Sequence, residues 1–321
     1  MADIDVSFIV VSYNTRELTR GCLRSIEEQS EGFRYEIILV DNASSDGSAE
    51  MVAADFANVR LVANNDNLGF AGANNQAFAL ATGRYVLLLN PDTEIVDNAT
   101  LACVEFADER PDAGVIGCRV RLPDGEQQST MFRYLRPAYL LINLFIPNRL
   151  IRRSRLLGRI RYVGIDQDQI QDVEVIAGCF MLVRREVLEQ VGGMDGDFFM
   201  YGEEAEWCFR IRRAGWRNLY LPGPTILHYG AQSAKQSVEK MTVNMCRGQL
   251  LFIQKTQGAL AAWVANLLML IRDIPRVLVW LLVRWMPGRL GSEHSEQLRP
   301  AVTRLRIHLG GLYKPDWSGR A

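Results

Sequence analysis

Acidic and amide side chains follow directly on a short apolar run at several places in the N-terminal part of the chain. The most informative run, 85–89, continues into Asn90-Pro91-Asp92. A carboxylate at the end of a strand can hold a hard divalent cation that also binds phosphate oxygens. Mg²⁺ or Mn²⁺ at Asp92 would neutralise the charge that builds up on a departing diphosphate. The alternative is an Asn-Pro turn in which Asp92 or Asp97 only begins a helix.

A second acidic group follows an aromatic, glycine-containing segment at 198–202. Glu203, Glu204 and Glu206 place three acids within four residues. In a partly apolar cleft, one of two adjacent carboxylates can be tuned to accept a proton from a reacting hydroxyl group. Acids also accumulate at helix N-termini because of the helix dipole, so a structural role stays open. His228 ends a later apolar run. A lone histidine is usually structural, and His228 is a candidate functional residue only because it comes in register with the other elements.

Asp41 ends another apolar run, 36–40, and is followed by small polar residues. Its carboxylate can accept hydrogen bonds from a nucleobase N–H or from ribose hydroxyls, while Ser45 or Asp46 caps the next helix. A simple turn and cap is an equal alternative. The chain has neither a Gly-x-Gly-x-x-Gly motif after its first apolar run nor a Walker motif, which disfavours dehydrogenases and P-loop ATPases.

Short apolar runs bounded by turn residues predict strands that are buried on both faces, with helices between them. The strands are 6–11, 36–40, 59–63 and 85–89, and the helices are 15–29, 47–57 and 69–82. This alternation predicts a largely parallel sheet between layers of helices. Ligands of such sheets bind outside the carboxyl ends of the strands, so the polar clusters should line one cleft.

The second half of the chain is less regular. An apolar and basic segment at 134–161 interrupts the α/β pattern, and the chain is helical in character from residue 241 onward. A strand is predicted at 115–120, before the first of these segments, and strands at 175–183 and 218–222 and a helix at 203–215 are predicted between the two. We therefore predict one domain at 1–235, with an insertion at 134–161, and a C-terminal helical region at 236–321.

Composition sets limits on partners and compartment. The 321 residues carry a formal net charge of −1, which gives no overall attraction for nucleic acid. The six cysteines form no Cys-x-x-Cys pair, which favours buried, reduced thiols in a cytoplasmic protein. The N-terminus has no basic region typical of an export signal, and no uninterrupted apolar stretch reaches the roughly 18 to 20 residues that cross a bilayer.

Taken together, seven motifs resemble glycosyltransferase family 2, and in particular its bacterial rhamnosyltransferase-like branch. The resemblance covers about residues 5 to 235, in order and with ordinary spacing. The motifs are Val-Ser-Tyr-Asn at 11–14, Asp-Asn-Ala-Ser-Ser-Asp-Gly-Ser at 41–48, Asn-Leu-Gly-Phe-Ala-Gly-Ala-Asn-Asn at 67–75, Leu-Leu-Asn-Pro-Asp-Thr at 88–93, Ala-Gly-Cys-Phe-Met-Leu-Val-Arg-Arg at 177–185, Phe-Phe-Met-Tyr-Gly-Glu-Glu at 198–204 and His-Tyr-Gly at 228–230.

The resemblance implies a GT-A fold and a single in-line displacement that inverts the sugar's anomeric carbon. It implies that Asp92 and His228 bind Mg²⁺ or Mn²⁺ and that Glu203 or Glu204 is the general base. It also implies a set of residues around the nucleotide-sugar: Ser12, Tyr13, Asn14 and Asp41 at the nucleoside, with Asn67, Gly69, Phe70 and Asn74 beside them. Two positions depart from the family pattern, since Asn90 replaces the first metal-motif Asp and Glu204 replaces the usual Asp.

The same resemblance implies the substrates. The expected donor is dTDP-L-rhamnose, with a UDP-hexose as the alternative, and the expected acceptor is a polyprenyl-diphosphate-linked glycan of the cell envelope. A processive synthase is disfavoured because the chain has no Gln-x-x-Arg-Trp motif. A non-catalytic nucleotide-sugar-binding relative and a nucleotidyltransferase are the other classes, the latter disfavoured by the missing glycine-rich phosphate loop.

A membrane surface is the remaining expected partner. Residues 259–286 are strongly apolar, with Trp263, Trp280 and Trp285 suited to a headgroup boundary. The apolar run 138–146 precedes six arginines, which favour anionic lipid or a lipid-diphosphate acceptor: Arg149, Arg152, Arg153, Arg155, Arg159 and Arg161. We expect a peripheral protein at the cytoplasmic face of the cell membrane. Core helices or a homodimer contact are the alternatives for 259–286, and a solvated helix face is the alternative for the arginines.

Overall fold

A computed structural model describes residues 4–146, 166–230, 238–283 and 300–310. Its N-terminal half is the predicted parallel sheet. The strands of this half, β1 (Val6–Ser12), β2 (Tyr35–Asp41), β3 (Val59–Ala63) and β4 (Tyr85–Leu89), lie in the order β3-β2-β1-β4. Each neighbouring pair in this group is parallel. All five residues of β4 are buried, as expected for a strand covered on both faces.

The second half of the sheet is mixed. It contains β5 (Thr93–Ile95), β6 (Ala113–Arg121), β7 (Gln127–Gln128), β9 (Gln171–Val173), β11 (Phe180–Arg184) and β12 (Arg217–His228). β11 lies antiparallel between β4 and β6, and β12 follows parallel to β6 and antiparallel to β5. The sheet therefore continues from the parallel strands to β12, which ends at His228.

The segment 175–183, predicted as one strand, forms two. β10 (Val175–Ile176) pairs with β8 (Met131–Phe132) in a separate small sheet, and only β11 joins the main sheet. Ile176 packs onto Gly117 of β6, where an added Cβ would lie 2.5 Å from the Ile176 side chain. Both pieces are apolar because both are buried, so the apolar pattern alone does not reveal the turn between them.

Helices cover both faces of the sheet, as predicted. They are α1 (Arg16–Gln29), α2 (Ser48–Asp55), α3 (Gly69–Phe78), α4 (Ala99–Asp108), α5 (Pro137–Phe145), α6 (Arg185–Val191), α7 (Glu203–Arg213), α8 (Val238–Gln257), α9 (Ala259–Val283) and α10 (300–309). One core contains residues of α1, α2 and α4, and the other contains residues of α3, α7, α8 and α9. All six cysteines are free and buried, as expected for thiols.

The C-terminal helices are held together by a buried acid. Asp273 of α9 is fully buried and forms ion pairs with Arg272, Arg276 and Arg304, the last from α10. Burial raises the pKa of Asp273, but hydrogen bonds from Arg304 and Arg272 outweigh this and hold it below its usual range. Within the described ranges, no helix is both long and apolar enough to cross a membrane.

Candidate active site

The polar clusters after the parallel strands lie along one edge of the sheet. Ser12 pairs with Asp41, and Asp41 pairs with Ala63, so β1, β2 and β3 end side by side. Leu89, the last residue of β4, pairs with Val10 of β1. The loops that follow these strands therefore start at the same edge, as the sequence predicts.

The first two of these loops are joined by hydrogen bonds through Asn14. Its backbone N–H donates to Ser44 Oγ at 2.9 Å, and Ser45 N donates to Asn14 Oδ1 at 2.8 Å. Asn14 has a φ of 53°, in the left-handed region that Asn adopts more readily than most residues. The Asn14 side chain is thus a structural link between loops as well as a candidate for the nucleoside.

Asn42, which the sequence analysis did not single out, fixes the loop before α3. Its buried side chain donates to Asn67 Oδ1 at 2.8 Å and accepts from Leu68 N at 2.9 Å. Asn67 Oδ1 also accepts from Gly69 N at 2.9 Å. A buried amide with both ends occupied holds a loop in one conformation, and this arrangement sets the start of α3.

The residues predicted to bind the nucleoside differ in their exposure and in the hydrogen-bonding atoms that they offer to a ligand. Ser12 is fully buried, with its hydroxyl 3.2 Å from Thr15 Oγ1 and 3.0 Å from Thr19 Oγ1, whereas Tyr13 is exposed. Asp41 is buried, and its Oδ2 accepts from Ser44 N at 2.9 Å. Its Oδ1 is buried with no hydrogen-bond partner among the described residues. A buried acceptor without a donor is unfavourable, so Asp41 is suited to receive an N–H or O–H from a ligand.

The remaining predicted donor-site residues, Gly69, Phe70 and Asn74, lie in the first two turns of α3. Asn74 is buried and its Nδ2 donates to Phe70 O at 2.8 Å, which holds the first turn of the helix. Gly69 has a φ of 74°, and an added Cβ would lie 2.3 Å from Phe199 O. Only glycine can occupy this position, because any side chain would displace the segment that precedes the Glu203-Glu204 pair.

Asp92 and His228, 136 residues apart, are in direct contact. His228 Nε2 lies 3.1 Å from Asp92 Oδ1, and both residues are buried. The contact arises because β5 pairs with the end of β12, with Thr93 opposite His228, and Tyr229 N donates to Asp92 O at 2.8 Å. Sheet topology therefore brings together the two residues predicted to bind a cation.

Gln128 on β7 orients the histidine and was missed by the sequence analysis. Its Oε1 lies 2.7 Å from His228 Nδ1, so Nδ1 donates to Gln128 and Nε2 is the nitrogen that faces Asp92. A hydrogen bond of this kind is the usual support of a metal-binding histidine. The turn Asp124-Gly125 was the available signal, since Asp-Gly between strands favours a hairpin that carries Gln128 back along β6.

The side chains of Asp92 and His228 are suited to bind a divalent cation that a substrate diphosphate also binds. Two neighbouring ligand atoms of an octahedral ion with bonds of about 2.1 Å are about 3 Å apart, close to the 3.1 Å between Asp92 Oδ1 and His228 Nε2. Among the described residues, no group of three or more His, Cys, Asp and Glu side chains could hold a metal. Mg²⁺ commonly uses one or two protein ligands with substrate phosphates, so two are enough.

Glu203 and Glu204 begin α7 and differ in their surroundings. Glu203 is buried, and its Oε2 has no hydrogen-bond partner among the described residues. Burial and the charge of Glu204 raise the pKa of Glu203 well above its usual range. Burial also raises the pKa of Glu204, which is half-buried and accepts from Gly202 N at 3.2 Å. Glu203 is thus suited to stay protonated while Glu204 carries the charge.

The buried thiol of Cys179 belongs to a residue beside the Asp92 turn, since Asn90 N donates to Cys179 O at 3.1 Å. Its pKa is raised to about 12, first by burial, with further contributions from the charges of Asp92 and Glu204. A cavity of about 430 Å³ between α1 and β5 lies elsewhere, since Asp92, Glu204 and His228 are not among its lining residues.

Comparison with known proteins gives one consistent picture. The model of glycosyl transferase family 2 matches residues 7–192. An N-acetylglucosaminyl-diphospho-decaprenol L-rhamnosyltransferase of Mycobacterium tuberculosis is 29% identical over 254 residues, which cover 73% of this chain and 78% of the relative. The rhamnosyltransferase WbbL of Escherichia coli is 27% identical over 234 residues, 70% of this chain and 83% of the relative.

Solved structures agree at the level of the fold. A mannosyltransferase of Pyrobaculum calidifontis, in complex with GDP-mannose and Mn²⁺, superposes with a TM-score of 0.56 at 17% identity and covers 95% of this chain and 87% of its own. S. aureus TarS superposes with a TM-score of 0.53 at 15% identity, over 95% of this chain and 54% of its own.

Proposed function

The chain belongs to glycosyltransferase family 2 and has the GT-A fold, and from this premise we propose that it transfers L-rhamnose from dTDP-L-rhamnose to a lipid-linked glycan. The contact between Asp92 and His228 at the strand ends is the observation that carries the chemistry. The choice of rhamnose is supported by the names of both bacterial relatives, and the choice of a polyprenyl-diphosphate acceptor by the name of the Mycobacterium relative alone. A UDP-hexose donor is the alternative that the test below distinguishes.

In the proposed reaction, Asp92 and His228 would hold Mg²⁺ or Mn²⁺, and Gln128 fixes the orientation of the histidine. The bound ion would neutralise the charge that develops on the leaving dTDP. Glu204 removes a proton from the acceptor hydroxyl, and the hydroxyl oxygen then bonds to the anomeric carbon as the bond to the diphosphate oxygen breaks. The proton ends on Glu204 and the electron pair on dTDP, with inversion at carbon.

The nucleoside is assigned to the edge formed by the first two loops. Asp41 Oδ1, buried and without a partner among the described residues, can accept the single ring N–H of thymine or uracil. Tyr13 and Asn14 border this position, while the hydroxyl of Ser12 is held by two threonines, so a contact from Ser12 would come from its backbone. Asn67, Gly69, Phe70 and Asn74 are proposed to lie along the sugar and diphosphate.

The donor class can be tested by thermal shift. With Mn²⁺ present, dTDP-rhamnose at 100 times its Kd should stabilise the chain by about 2.7 kcal/mol, which raises Tm by several degrees. GDP-mannose is the control and should give little change, and EDTA should remove the dTDP-rhamnose effect. Stabilisation by UDP-hexoses but not by dTDP-rhamnose would contradict the proposed donor. No stabilisation by any nucleotide-sugar would contradict binding of a nucleotide-sugar at this site.

We further propose that α9 binds the inner face of the cell membrane. Its exposed large apolar residues recur at helical spacing and form a stripe: Leu260, Trp263, Leu267, Ile271, Ile274, Leu278 and Leu282. Exposed Leu141 and Phe145 of α5, which packs against α9, extend this surface. The side chain of Trp280, all of Trp285, and the arginines between 149 and 161 lie outside the described residues.

Membrane binding can be measured by flotation with vesicles of phosphatidylglycerol and phosphatidylcholine. Leu278→Glu should weaken binding by about tenfold, because it removes an apolar side chain from the stripe and adds repulsion from anionic lipid. Gln254→Glu, an exposed change on α8, is the control and should bind like the unmodified chain. If Leu278→Glu floats normally, or instead only converts a dimer to a monomer in gel filtration, the stripe is not a membrane surface.

A further inference from the structure

The turn that precedes Glu203 and Glu204 is strained. Tyr201 has a φ of 71° and Gly202 a φ of 102°, both in the left-handed region. A bulky residue in this region costs about 1–3 kcal/mol and persists only where surrounding structure enforces it. The direction in which α7 begins, and with it the position of both carboxylates, therefore depends on what packs against residues 199–202.

One support comes from α3. Phe70 N donates to Phe199 O at 2.7 Å, and the missing side chain of Gly69 allows this close approach. This contact connects the turn to the donor side of the site. It fixes the start of the turn but leaves the strained residue Tyr201, and Gly202 after it, to be held from elsewhere.

The other support comes from α8, in the C-terminal helical region. A Cβ added to Gly248 would lie 1.7 Å from Tyr201 O, a separation that no real side chain could keep. A Cβ added to Gly202 would lie 3.0 Å from Gly248 O. The backbones of α8 and the turn are thus in direct contact, with no side chain between them. Gly248 lies within a helix, where glycine is otherwise unfavourable by about 1 kcal/mol relative to alanine.

Lys255 makes a second connection from the same face of α8. It follows Gly248 by seven residues, about two helical turns. Its Nζ lies 2.7 Å from Asp195 Oδ2 and 2.6 Å from Asp197 Oδ2. Both acids belong to the segment that leads into the strained turn, so α8 holds this segment at two points.

We propose that α8 positions the general base: Gly248 and Lys255 hold the 195–202 segment so that Glu204 is aimed at the acceptor. This rests on the proposed function of Glu204. Neither residue contacts the reacting atoms, so both are positioning residues. The region after 236, which also carries the apolar stripe of α9, is then part of the active site rather than a separable anchor.

Gly248→Ala is the decisive variant. Its methyl group must push Tyr201 aside, and a displacement of about 1 Å at a reacting group costs about 10²-fold. We expect kcat for rhamnose transfer to N-acetylglucosaminyl-diphospho-decaprenol to fall by that factor, while the Kd for dTDP with Mn²⁺ stays within twofold. The matched control is Gly196→Ala in the same segment, where an added Cβ meets nothing within 4 Å. It should keep full kcat.

A second variant covers the case in which Gly248→Ala folds poorly. Lys255→Met leaves the helix backbone unchanged and should lower kcat by about fivefold, the equivalent of about 1 kcal/mol. Lys255→Arg should restore most of it, because the charge is kept. A purely structural lysine would lower stability in Lys255→Met without this split between kcat and donor affinity.

Hydrogen exchange separates failure of this proposal from failure of the proposed function. Whatever the substrates are, amides of 198–206 should exchange at least tenfold faster in Gly248→Ala than in Gly196→Ala, because the turn is released. Unchanged exchange together with unchanged kcat would overturn the positioning role. Faster exchange in a chain that transfers no rhamnose would retain the role of α8 and reject the donor.

Discussion

Glu204→Gln is expected to lower kcat for transfer by about 10³-fold, since a general base contributes about 10² to 10⁴-fold. Glutamine keeps the size of the side chain and can still accept from Gly202 N, but it cannot take a proton from the acceptor. Donor affinity should change little, because the nucleotide is assigned to the opposite loops. The measurement is steady-state transfer, with dTDP binding followed separately.

Glu203→Gln is the matched control at the neighbouring position. Burial and the charge of Glu204 raise the pKa of Glu203, so Glu203 is expected to be neutral, and an amide replaces it closely. We expect kcat within tenfold of the unmodified chain, a loss far smaller than that of Glu204→Gln. Equal losses of kcat from both changes would mean that the two carboxylates act as one unit. Near-normal kcat in both variants would mean that neither Glu203 nor Glu204 is the general base.

The pH dependence of kcat and of stability follows from the raised pKa values of Glu204 and Glu203. Burial raises the pKa of Glu204, so if Glu204 is the base as proposed, it becomes protonated, and kcat falls, at a pH above the 4.5 of an ordinary glutamate. For Glu203 the raised folded-state pKa destabilises the fold as pH rises above 4.5. Glu203→Gln should therefore raise Tm at neutral pH, and the gain should shrink as pH falls toward 4.5.

Asp92→Asn is the second change with a large expected effect. It removes the charge that faces His228 Nε2 and the proposed cation, and the loss of several kcal/mol of charge stabilisation corresponds to about 10³-fold in kcat/KM. Mn²⁺ binding in the presence of dTDP, followed by electron paramagnetic resonance, should weaken in parallel. The fold should survive, because Tyr229 N donates to the backbone oxygen of Asp92 rather than to its side chain.

Asp97→Asn supplies the control for Asp92. Asp97 is an exposed acid five residues away, and its φ of 50° is one that asparagine tolerates. We expect unchanged Mn²⁺ binding and unchanged kcat/KM. If Asp92→Asn bound Mn²⁺ and turned over like Asp97→Asn, Asp92 would have only a structural role in the Asn-Pro turn, as in the alternative that its sequence context left open.

The parallel half of the fold could be predicted because its signals are local. β1 to β4 are apolar runs bounded by turn residues, and their polar ends must meet at one edge of a parallel sheet. The contact between Asp92 and His228 is not local. It depends on the pairing of β5 with β12 across 136 residues, and no periodicity in the chain specifies that pairing; only the resemblance to a family pointed to it.

Other residues of the site were missed for the same reason. Gln128 lies on a two-residue strand, which is too short to give a periodic pattern. Gly248 lies in a helix, where the sequence alone indicates only a residue of low helix propensity. The reason for this glycine is the contact of its backbone with Tyr201 O, which leaves no room for a Cβ. The prediction of 175–183 as a single strand was wrong because both of its halves are buried, and burial rather than strand continuity sets their apolar character.

The most direct test of the account is the anomeric configuration of the product and its dependence on metal. The full chain would be incubated with dTDP-L-rhamnose, N-acetylglucosaminyl-diphospho-decaprenol and Mn²⁺, with and without EDTA, and the product examined by nuclear magnetic resonance. We predict a rhamnosyl product whose configuration is inverted relative to the donor and which does not form in EDTA. A product with retained configuration, or one formed equally well without metal, would contradict the roles of Glu204 and of the Asp92–His228 pair.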